Sequence, residues 1–322
     1  MRLFLPNSAH LQNIEGFLRK YHPQPSSKIL RVSGHEKYIH LHPMAIAMAA
    51  CAGATATNGG WKTTGKIHNV RSVPYLIRMK LFEHLNIIPP TYIEEHEESG
   101  RFVPLTNVKT SEDLSKTVTN LIPLLHANSN VADPIRYVIS ELGRNVIEHS
   151  NSQVGGFVCA QYFKNKERIA VGIADSGIGI LNAIRHSHPA ENEPKAFRLA
   201  LTPGISGATS RIGGNETNAG AGLFFIRSIA KVSGNFFVIY SGNTLYKIMR
   251  KQQEPDKLYS NPFKENHSLV IDLPKWQGTA IGIDISVDNT AEFSALLDII
   301  RKSYRIDMKA QKKAYYKKVK FV

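Results

Sequence analysis

Three polar side chains recur at intervals of four residues in one predicted helix. Glu141, Asn145 and His149 share one face of that helix at about 100° per residue, next to its apolar stripe. A carboxylate can orient and deprotonate a water molecule. An amide oxygen is a hard ligand that suits Mg²⁺, a cation that shares phosphate oxygens. The triplet is therefore a candidate ligand site, although a polar helix face that only contacts water has the same pattern.

A second candidate follows a predicted strand that ends at Asp175. A carboxylate at a strand end can accept a hydrogen bond from the exocyclic amine of adenine. Gly177 and Gly179 then allow the backbone to approach a flat base closely. Gly278 and Thr279 open the last predicted strand, where a hydroxyl could support Asp175. A glycine-rich turn capped by an aspartate is the alternative interpretation.

A third candidate is the glycine pair Gly220 and Gly222, directly before a predicted helix. Glycines at a helix N-terminus expose backbone N–H groups, and the helix dipole adds positive potential that suits phosphates. The pattern is neither a Walker loop nor a Rossmann fingerprint, because no Gly-Lys-Ser/Thr follows it and no strand leads directly into it. The preceding segment, 187–217, is predicted to be a mobile nucleotide lid.

In this order and at these separations, the four elements resemble the motifs of the GHKL (Bergerat-fold) ATPases. That superfamily includes gyrase-type topoisomerases, the heat-shock chaperone ATPase, histidine kinases and mismatch-repair ATPases. The resemblance covers residues 106–290. The residues that match the N-box, the first and second glycine boxes and the closing position are Glu141, Asn145 and His149; Asp175, Gly177 and Gly179; Gly220 and Gly222; and Gly278 and Thr279.

The resemblance implies a role for each motif. Asp175 binds adenine, Asn145 holds Mg²⁺, the backbone of 220–222 binds phosphates, and Glu141 is the general base for ATP hydrolysis. Glu148 is a rival base, because seven helical residues place it within about 20° of Glu141.

Three departures from the family pattern limit what the resemblance implies. The second glycine box usually continues Gly-Leu-Gly, whereas Phe224 follows Leu223 here. No phosphoacceptor helix of a histidine kinase is recognisable, and no transducer domain with a phosphate-sensing lysine follows residue 290.

The elements that must position these residues predict an α+β fold, with helices on one face of a mostly antiparallel sheet, as in a two-layer GHKL sandwich. Ser111 is the expected N-cap of a helix over 111–125, and Asp133 with Pro134 is expected to open the next one. The other predicted elements are a helix over 223–232 and strands over 155–162, 169–174, 236–240, 245–249, 268–273 and 279–286.

Residues 1–105 are predicted to form a separate small α/β domain. The pattern gives strands at 29–32, 38–41 and 64–68 and helices at 43–55 and 73–85. The alanine-rich helix directly after a strand resembles the STAS domains of anti-sigma-factor antagonists. Their phosphorylatable Ser or Thr is replaced by the hydroxyl-free segment 40–44, so the resemblance implies docking or regulation without a phosphorylation switch.

Composition and charge exclude several classes of protein. Hydrophobic residues make up 42% and charged residues 20% of the 322 residues, which is typical of a globular chain. Cys51 and Cys159 cannot form a disulfide framework, and the apolar run over 44–56 is too short to cross a bilayer, so we expect a cytoplasmic protein without a membrane span. Residues 301–322 hold nine basic residues and one acidic residue and carry +8 of the net charge of +14. The segment 291–322 is therefore expected to be a basic C-terminal helix or tail that could contact nucleic acid, an acidic partner or only solvent.

The sequence thus predicts a Mg²⁺-dependent, ATP-binding signalling protein that hydrolyses ATP. The alternatives are a serine/threonine protein kinase of the anti-sigma-factor type and a non-hydrolysing ATP switch whose basic tail binds nucleic acid or another partner. A protein partner or client at the N-terminal domain and a homodimer stay open.

Overall fold

Two β-sheets organise the chain, whose computed structural model describes residues 1–23, 25–93, 102–121, 129–207, 221–254, 257–286 and 293–318. The small sheet is parallel and has the order β1 (Arg2–Leu5), β2 (Ile29–Gly34), β3 (Lys62–Lys66). The large sheet is antiparallel and contains β4 (Phe102–Val108), β5 (Gly156–Phe163), β6 (Arg168–Asp175), β7 (Phe237–Gly242), β8 (Thr244–Ile248), β9 (His267–Val270) and β10 (Trp276–Ser286). Its strand order is β4-β5-β6-β10-β7-β8-β9, so the last strand along the chain lies in the middle of the sheet.

Ten helices accompany the sheets within the described ranges. In chain order they are α1 (Glu15–Leu18), α2 (Pro43–Asn58), α3 (Val73–Arg78), α4 (Leu81–Leu85), α5 (Ser111–Lys116), α6 (Ser129–Asn145), α7 (Gly179–Arg185), α8 (Glu193–Ala200), α9 (Gly222–Val232) and α10 (Phe293–Lys318). Among the described residues, none of the helices is both long enough and apolar enough to cross a bilayer. The predicted α+β class with a large antiparallel sheet is confirmed.

Several helix boundaries differ from the prediction. Thr110, and not Ser111, caps α5, because its hydroxyl accepts a hydrogen bond from Asp113 N while Asp113 Oδ2 accepts one from Thr110 N. This helix ends at Lys116 and continues as a π-helical turn to residue 121; the rest of the predicted span, 122–125, lies outside the described residues. The next helix begins at Ser129 and accommodates Pro134 in its interior, so Asp133 is not its N-cap.

The N-terminal part also differs in two places. The predicted strand over 38–41 is wrong: only Leu41 forms a bridge, with Ala9, because the segment leads directly into the N-terminus of α2. The predicted helix over 73–85 is interrupted at Lys80, whose φ of 59° is left-handed, and is divided into α3 and α4.

One face of the large sheet is covered by the N-terminal part of the chain. α2 packs on β5, β6 and β10, and a single apolar cluster joins side chains of α2 and the small sheet with Phe157, Ala174, Val238 and Ala280 of the large sheet. The approach is close at Gly172 of β6, where an added Cβ would overlap the backbone of Met44. Residues 1–93 and the large sheet therefore share a core, and the predicted division between residues 105 and 106 falls inside β4.

A cluster of polar side chains accompanies this packing. His42 caps α2, because its Nδ1 accepts a hydrogen bond from Met44 N, and its Nε2 lies 3.3 Å from Asp284 Oδ1 on β10. Arg168 Nη1 lies 3.4 Å from the second oxygen of Asp284. His40 Nδ1 and His10 Nε2 are 3.1 Å apart. The cluster connects the N-terminal part to the middle of the large sheet.

The opposite face of the sheet packs against α6 and α9, and α10 packs against these two helices. Alternate residues of the strands, such as Val171, Ile173 and Ile283, form a second buried cluster with these helices. The predicted C-terminal helix is confirmed as α10 up to Lys318; residues 319–322 lie outside the described part.

Candidate functional site

A cleft of about 370 Å³ opens where α6, α7 and the N-terminus of α9 meet the ends of β6 and β10. Seven of the predicted site residues line it: Glu141, Asn145, His149, Asp175, Gly179, Gly222 and Thr279. Gly177 lies directly behind the lining, next to Asp175. Gly220 falls outside the described residues, as does the part of the predicted lid over 208–217; the described part of that lid contains α8.

Asp175 ends β6 at the floor of the cleft and is 4% exposed. Its Oδ1 accepts a hydrogen bond of 2.8 Å from Gly177 N, and Trp276 Nε1 donates to its backbone oxygen at 3.1 Å. Burial raises the pKa of Asp175 to about 7, and the backbone N–H groups of Gly177 and Thr279 oppose that rise. Thr279 thus supports Asp175 through its backbone. A hydrogen-bond donor on a ligand would favour the ionised carboxylate.

The turn after Asp175 is held by a serine that the sequence analysis did not single out. Gly179 has a left-handed φ of 75°, which suits glycine, at the start of α7. Ile180 N donates to Ser241 Oγ at 3.0 Å, and Ser241 Oγ donates to Gly278 O at 2.7 Å. Ser241 therefore connects this turn to β7 and β10. Nothing in the local sequence distinguishes it from other strand serines.

Glu141 and Asn145 occupy the last turns of α6, and His149 lies in the π-helical turn that continues it over Val146–Ser150. The three side chains still line one cleft, although the helix is not regular at His149. Burial raises the pKa of Glu141, with Arg144 opposing and Glu148 adding to that rise, while burial lowers the pKa of His149. A carboxylate with a raised pKa suits proton abstraction near neutral pH.

The buried amide of Asn145 offers a hydrogen-bond donor to the cleft. Its Nδ2 is buried and has no hydrogen-bond partner among the described residues. The N-terminus of α9 lies close by, since a Cβ added at Gly222 would be 3.8 Å from Asn145 Nδ2 and 2.7 Å from Glu141 Oε2. An unsatisfied buried donor is costly, so an acceptor placed between Asn145 and α9 would be favourable.

The cleft is also lined by two arginines that the sequence analysis did not assign to it. Arg144 Nη1 lies 3.2 Å from Glu141 Oε1, and Arg301 of α10 completes the wall next to Tyr137. Arg144 could have been found, because it directly precedes Asn145. Arg301 could not, because the sequence analysis treated the basic C-terminal segment as a surface for other molecules.

No group of three or more His, Cys, Asp and Glu side chains that could hold a metal ion occurs among the described residues. Comparisons of the sequence with models of known protein families and with curated proteins found no match.

Proposed function

We propose that the protein is a Mg²⁺-dependent, GHKL-type ATPase that binds ATP in this cleft and hydrolyses it with Glu141 as general base. The observation that carries the proposal is the convergence of Asp175, Asn145, Glu141 and Gly222, from three separate segments (β6, α6 and α9), on one cleft. The proposal includes the GHKL sandwich fold for the large sheet and its helices, and the docking of a protein partner by a STAS-like N-terminal domain.

Adenine binding is supported by the chemistry of Asp175. A buried carboxyl group with a pKa of about 7 has little to stabilise its charge beyond two backbone N–H groups. The exocyclic amine of adenine is a donor that would satisfy the carboxylate and favour its ionised form. The backbone at Gly179, held by Ser241, forms the adjoining side of the cleft.

The amide of Asn145 fits both Mg²⁺ and phosphate. Its oxygen is a ligand type that Mg²⁺ accepts, and its unpartnered buried Nδ2 can donate to a phosphate oxygen. Asn145 would hold Mg²⁺ together with the phosphates, and the ion would neutralise part of their charge. The backbone N–H groups at the start of α9 add the donors and the positive dipole that phosphates favour.

Glu141 is favoured over Glu148 as the base. Glu141 is the closer of the two to the backbone at the start of α9, because its Oε2 lies 2.7 Å from the position that a Cβ of Gly222 would have. Its side chain is 20% exposed, against 35% for Glu148, and burial raises its pKa. Its role is to accept a proton from the attacking water while the water oxygen bonds to the terminal phosphorus. The bond from that phosphorus to the bridging oxygen breaks, and ADP leaves with that oxygen.

The test is an incubation of the purified full chain with radiolabelled ATP and Mg²⁺, scored for free phosphate and for labelled protein, alongside calorimetric measurement of ATP binding. We expect ATP binding that is weakened in a folded Asp175→Asn variant, and phosphate release that is slowed by about 10²- to 10⁴-fold in Glu141→Ala. Transfer of the label to protein would instead indicate the kinase alternative. Wild-type ATP affinity in Asp175→Asn, or no ATP binding by the wild type, would contradict the proposal.

A further inference from the structure

α10 lies along the wall of the cleft and is fixed there by its apolar side. Leu297, Ile300 and Met308 are buried, and Tyr304 lies 6.1 Å from the ring of Phe224 and 5.8 Å from that of Phe225, both in α9. The spacing of these positions, three or four residues apart, places them on one side of the helix. α10 is therefore anchored to the helix whose N-terminus faces the cleft.

Two further contacts extend this anchoring. Phe293, the first residue of α10, lies 5.9 Å from the ring of Tyr137 on α6. Gln311 Nε2 donates a hydrogen bond of 3.2 Å to the carbonyl of Pro203, in the segment between α8 and α9. α10 thus contacts α9, α6 and the segment that follows α8.

Arg301 follows the buried Ile300 and lines the cleft. Its only ion pair among the described residues is with Asp298, with Arg301 Nη1 and Asp298 Oδ1 3.0 Å apart. The two side chains are 52% and 71% exposed, so water screens this pair and it stabilises the helix little. A more highly charged anion in the cleft can therefore displace Asp298.

Few positively charged side chains line the described part of the cleft and could bind a triphosphate. Among the described lining residues the acids are Glu141, Glu148 and Asp175, and the basic side chains with a fixed charge are Arg144 and Arg301. Arg144 is engaged by Glu141, the proposed base. A phosphate group can therefore bind Arg301 without breaking the ion pair between Arg144 and Glu141.

Arg301 is also placed at the correct end of the cleft. Tyr304, three residues further along α10, contacts the rings of Phe224 and Phe225 in the first turn of α9. Arg301 and Gly222, the first residue of α9, line the same cleft. Asp175, the proposed adenine contact, ends β6 on the floor of the cleft instead. A nucleotide with its base at Asp175 and its phosphates at the N-terminus of α9 would direct its last phosphate towards Arg301.

We propose that Arg301 binds the terminal phosphate of the nucleotide, so that α10 distinguishes a triphosphate from a diphosphate. The inference rests on the proposed function. Guanidinium groups bind phosphate oxygens through two parallel N–H bonds, which suits this role.

The test compares the affinities of the full chain for Mg·ATP and Mg·ADP by calorimetry. In Arg301→Ala we expect the ATP affinity to fall by about 10- to 100-fold and the ADP affinity to change by less than about twofold. Arg301→Lys keeps the charge but not the paired geometry, and should recover part of the loss. Arg305→Ala, on an exposed position one turn further along α10 and outside the cleft lining, should leave both affinities unchanged.

Each other outcome has a distinct meaning. An equal loss for ATP and ADP in Arg301→Ala, or no loss for either, would overturn the inference and leave the proposed ATP site standing. Failure of the wild type to bind either nucleotide would instead overturn the proposed function.

Discussion

Asp175 combines burial with a carboxyl group that is half-ionised near neutral pH. In the folded protein its pKa is about 7, whereas the ordinary value is 3.8, so between these values the folded state holds a proton that the unfolded chain has lost. The contribution of Asp175 to the free energy of unfolding therefore decreases as the pH rises through this range, by about 1.4 kcal/mol per pH unit at most. A ligand that donates to the carboxylate would reduce this penalty.

Asp175→Asn should remove that pH dependence, because an amide does not titrate. We expect the stability of the variant relative to wild type to increase between about pH 4 and about pH 7 and to level off above it. Urea unfolding at several pH values measures this difference. A constant difference across the range would mean that Asp175 ionises normally in the folded protein.

Glu141 and Asn145 lie one helical turn apart, and alanine substitutions at the two positions should have different effects on binding and hydrolysis. Glu141→Ala should retain ATP and slow hydrolysis by about 10²- to 10⁴-fold, because only the proton acceptor is lost. Asn145→Ala should weaken Mg²⁺-dependent binding itself, because a metal and phosphate ligand is lost. Steady-state hydrolysis and nucleotide affinity, measured together, separate the two effects.

Glu148→Ala is the matched control for this pair, since Glu148 lines the same cleft. Full hydrolysis in Glu141→Ala together with loss in Glu148→Ala would transfer the role of base to Glu148. His149→Ala should weaken nucleotide binding if its imidazole contacts phosphate and have little effect on binding otherwise.

At the level of elements, the turn from β6 into α7 depends on a left-handed glycine. A Cβ at Gly179 would be strained by its φ of 75° and would lie 2.8 Å from Ser241 Oγ. Gly179→Ala should therefore destabilise the protein by about 1–2 kcal/mol and also weaken ATP binding, because the hydrogen bond from Ile180 to Ser241 is displaced.

Gly60→Ala provides the control for that prediction. Gly60 has a similar φ of 65°, but nothing lies within 4 Å of an added Cβ, and it is not among the residues that line the cleft. The Gly60→Ala variant should be less stable than the wild type through backbone strain alone and should keep its ATP affinity. Thermal unfolding and calorimetry distinguish the variants, and equal ATP affinities in both would show that the turn does not shape the cleft.

The same elements show what the sequence could predict. β5, β6 and α9 were predicted within two residues, because alternating or helical runs of apolar residues reflect burial directly. The break at Lys80 and the interior Pro134 were missed, because tertiary packing overrides local propensity there. The polar residues singled out in the helix over 141–149 and at Asp175 line one cleft.

Other parts of the site depended on tertiary structure alone. Arg301 reaches the cleft because α10 folds back onto α9, a contact between residues about 80 positions apart that no local pattern encodes. Ser241 is similar, since its partners at Ile180 and Gly278 belong to other segments. The shared core of the N-terminal part and the large sheet was likewise not expected from a predicted boundary at residue 105.

For the molecule as a whole, the histidine cluster makes the contact between the N-terminal part and the large sheet sensitive to acid. Burial and the neighbouring positive groups Arg168 and Lys166 lower the pKa of His40 to about 4 and also lower that of His10, while Asp284 opposes the shift at His10. A base whose folded pKa is below the unfolded value stabilises the fold fully above about pH 6.5 and loses that contribution as the pH falls towards 4.

His40→Gln should therefore reduce the loss of stability between about pH 7.5 and about pH 5. The reduction should be no more than about 1 kcal/mol, because the side chain is partly exposed and solvent screens its charge. Urea unfolding at the two pH values measures it. His68→Gln, at an exposed histidine, should leave the acid-induced loss unchanged, and an identical loss in both variants would show that His40 is not responsible.

The close approach of α2 to Gly172 has a consequence for the exchange of backbone amide hydrogens. Because α2 shares its core with the strand that ends at Asp175, its buried amides are expected to exchange with solvent mainly when the whole protein unfolds. A nucleotide at one hundred times its dissociation constant adds about 2.7 kcal/mol to that opening, and so slows the exchange about 100-fold. The slowest-exchanging amides of α2, across the sheet from the cleft and in contact with no ligand, would then report the occupancy of the cleft.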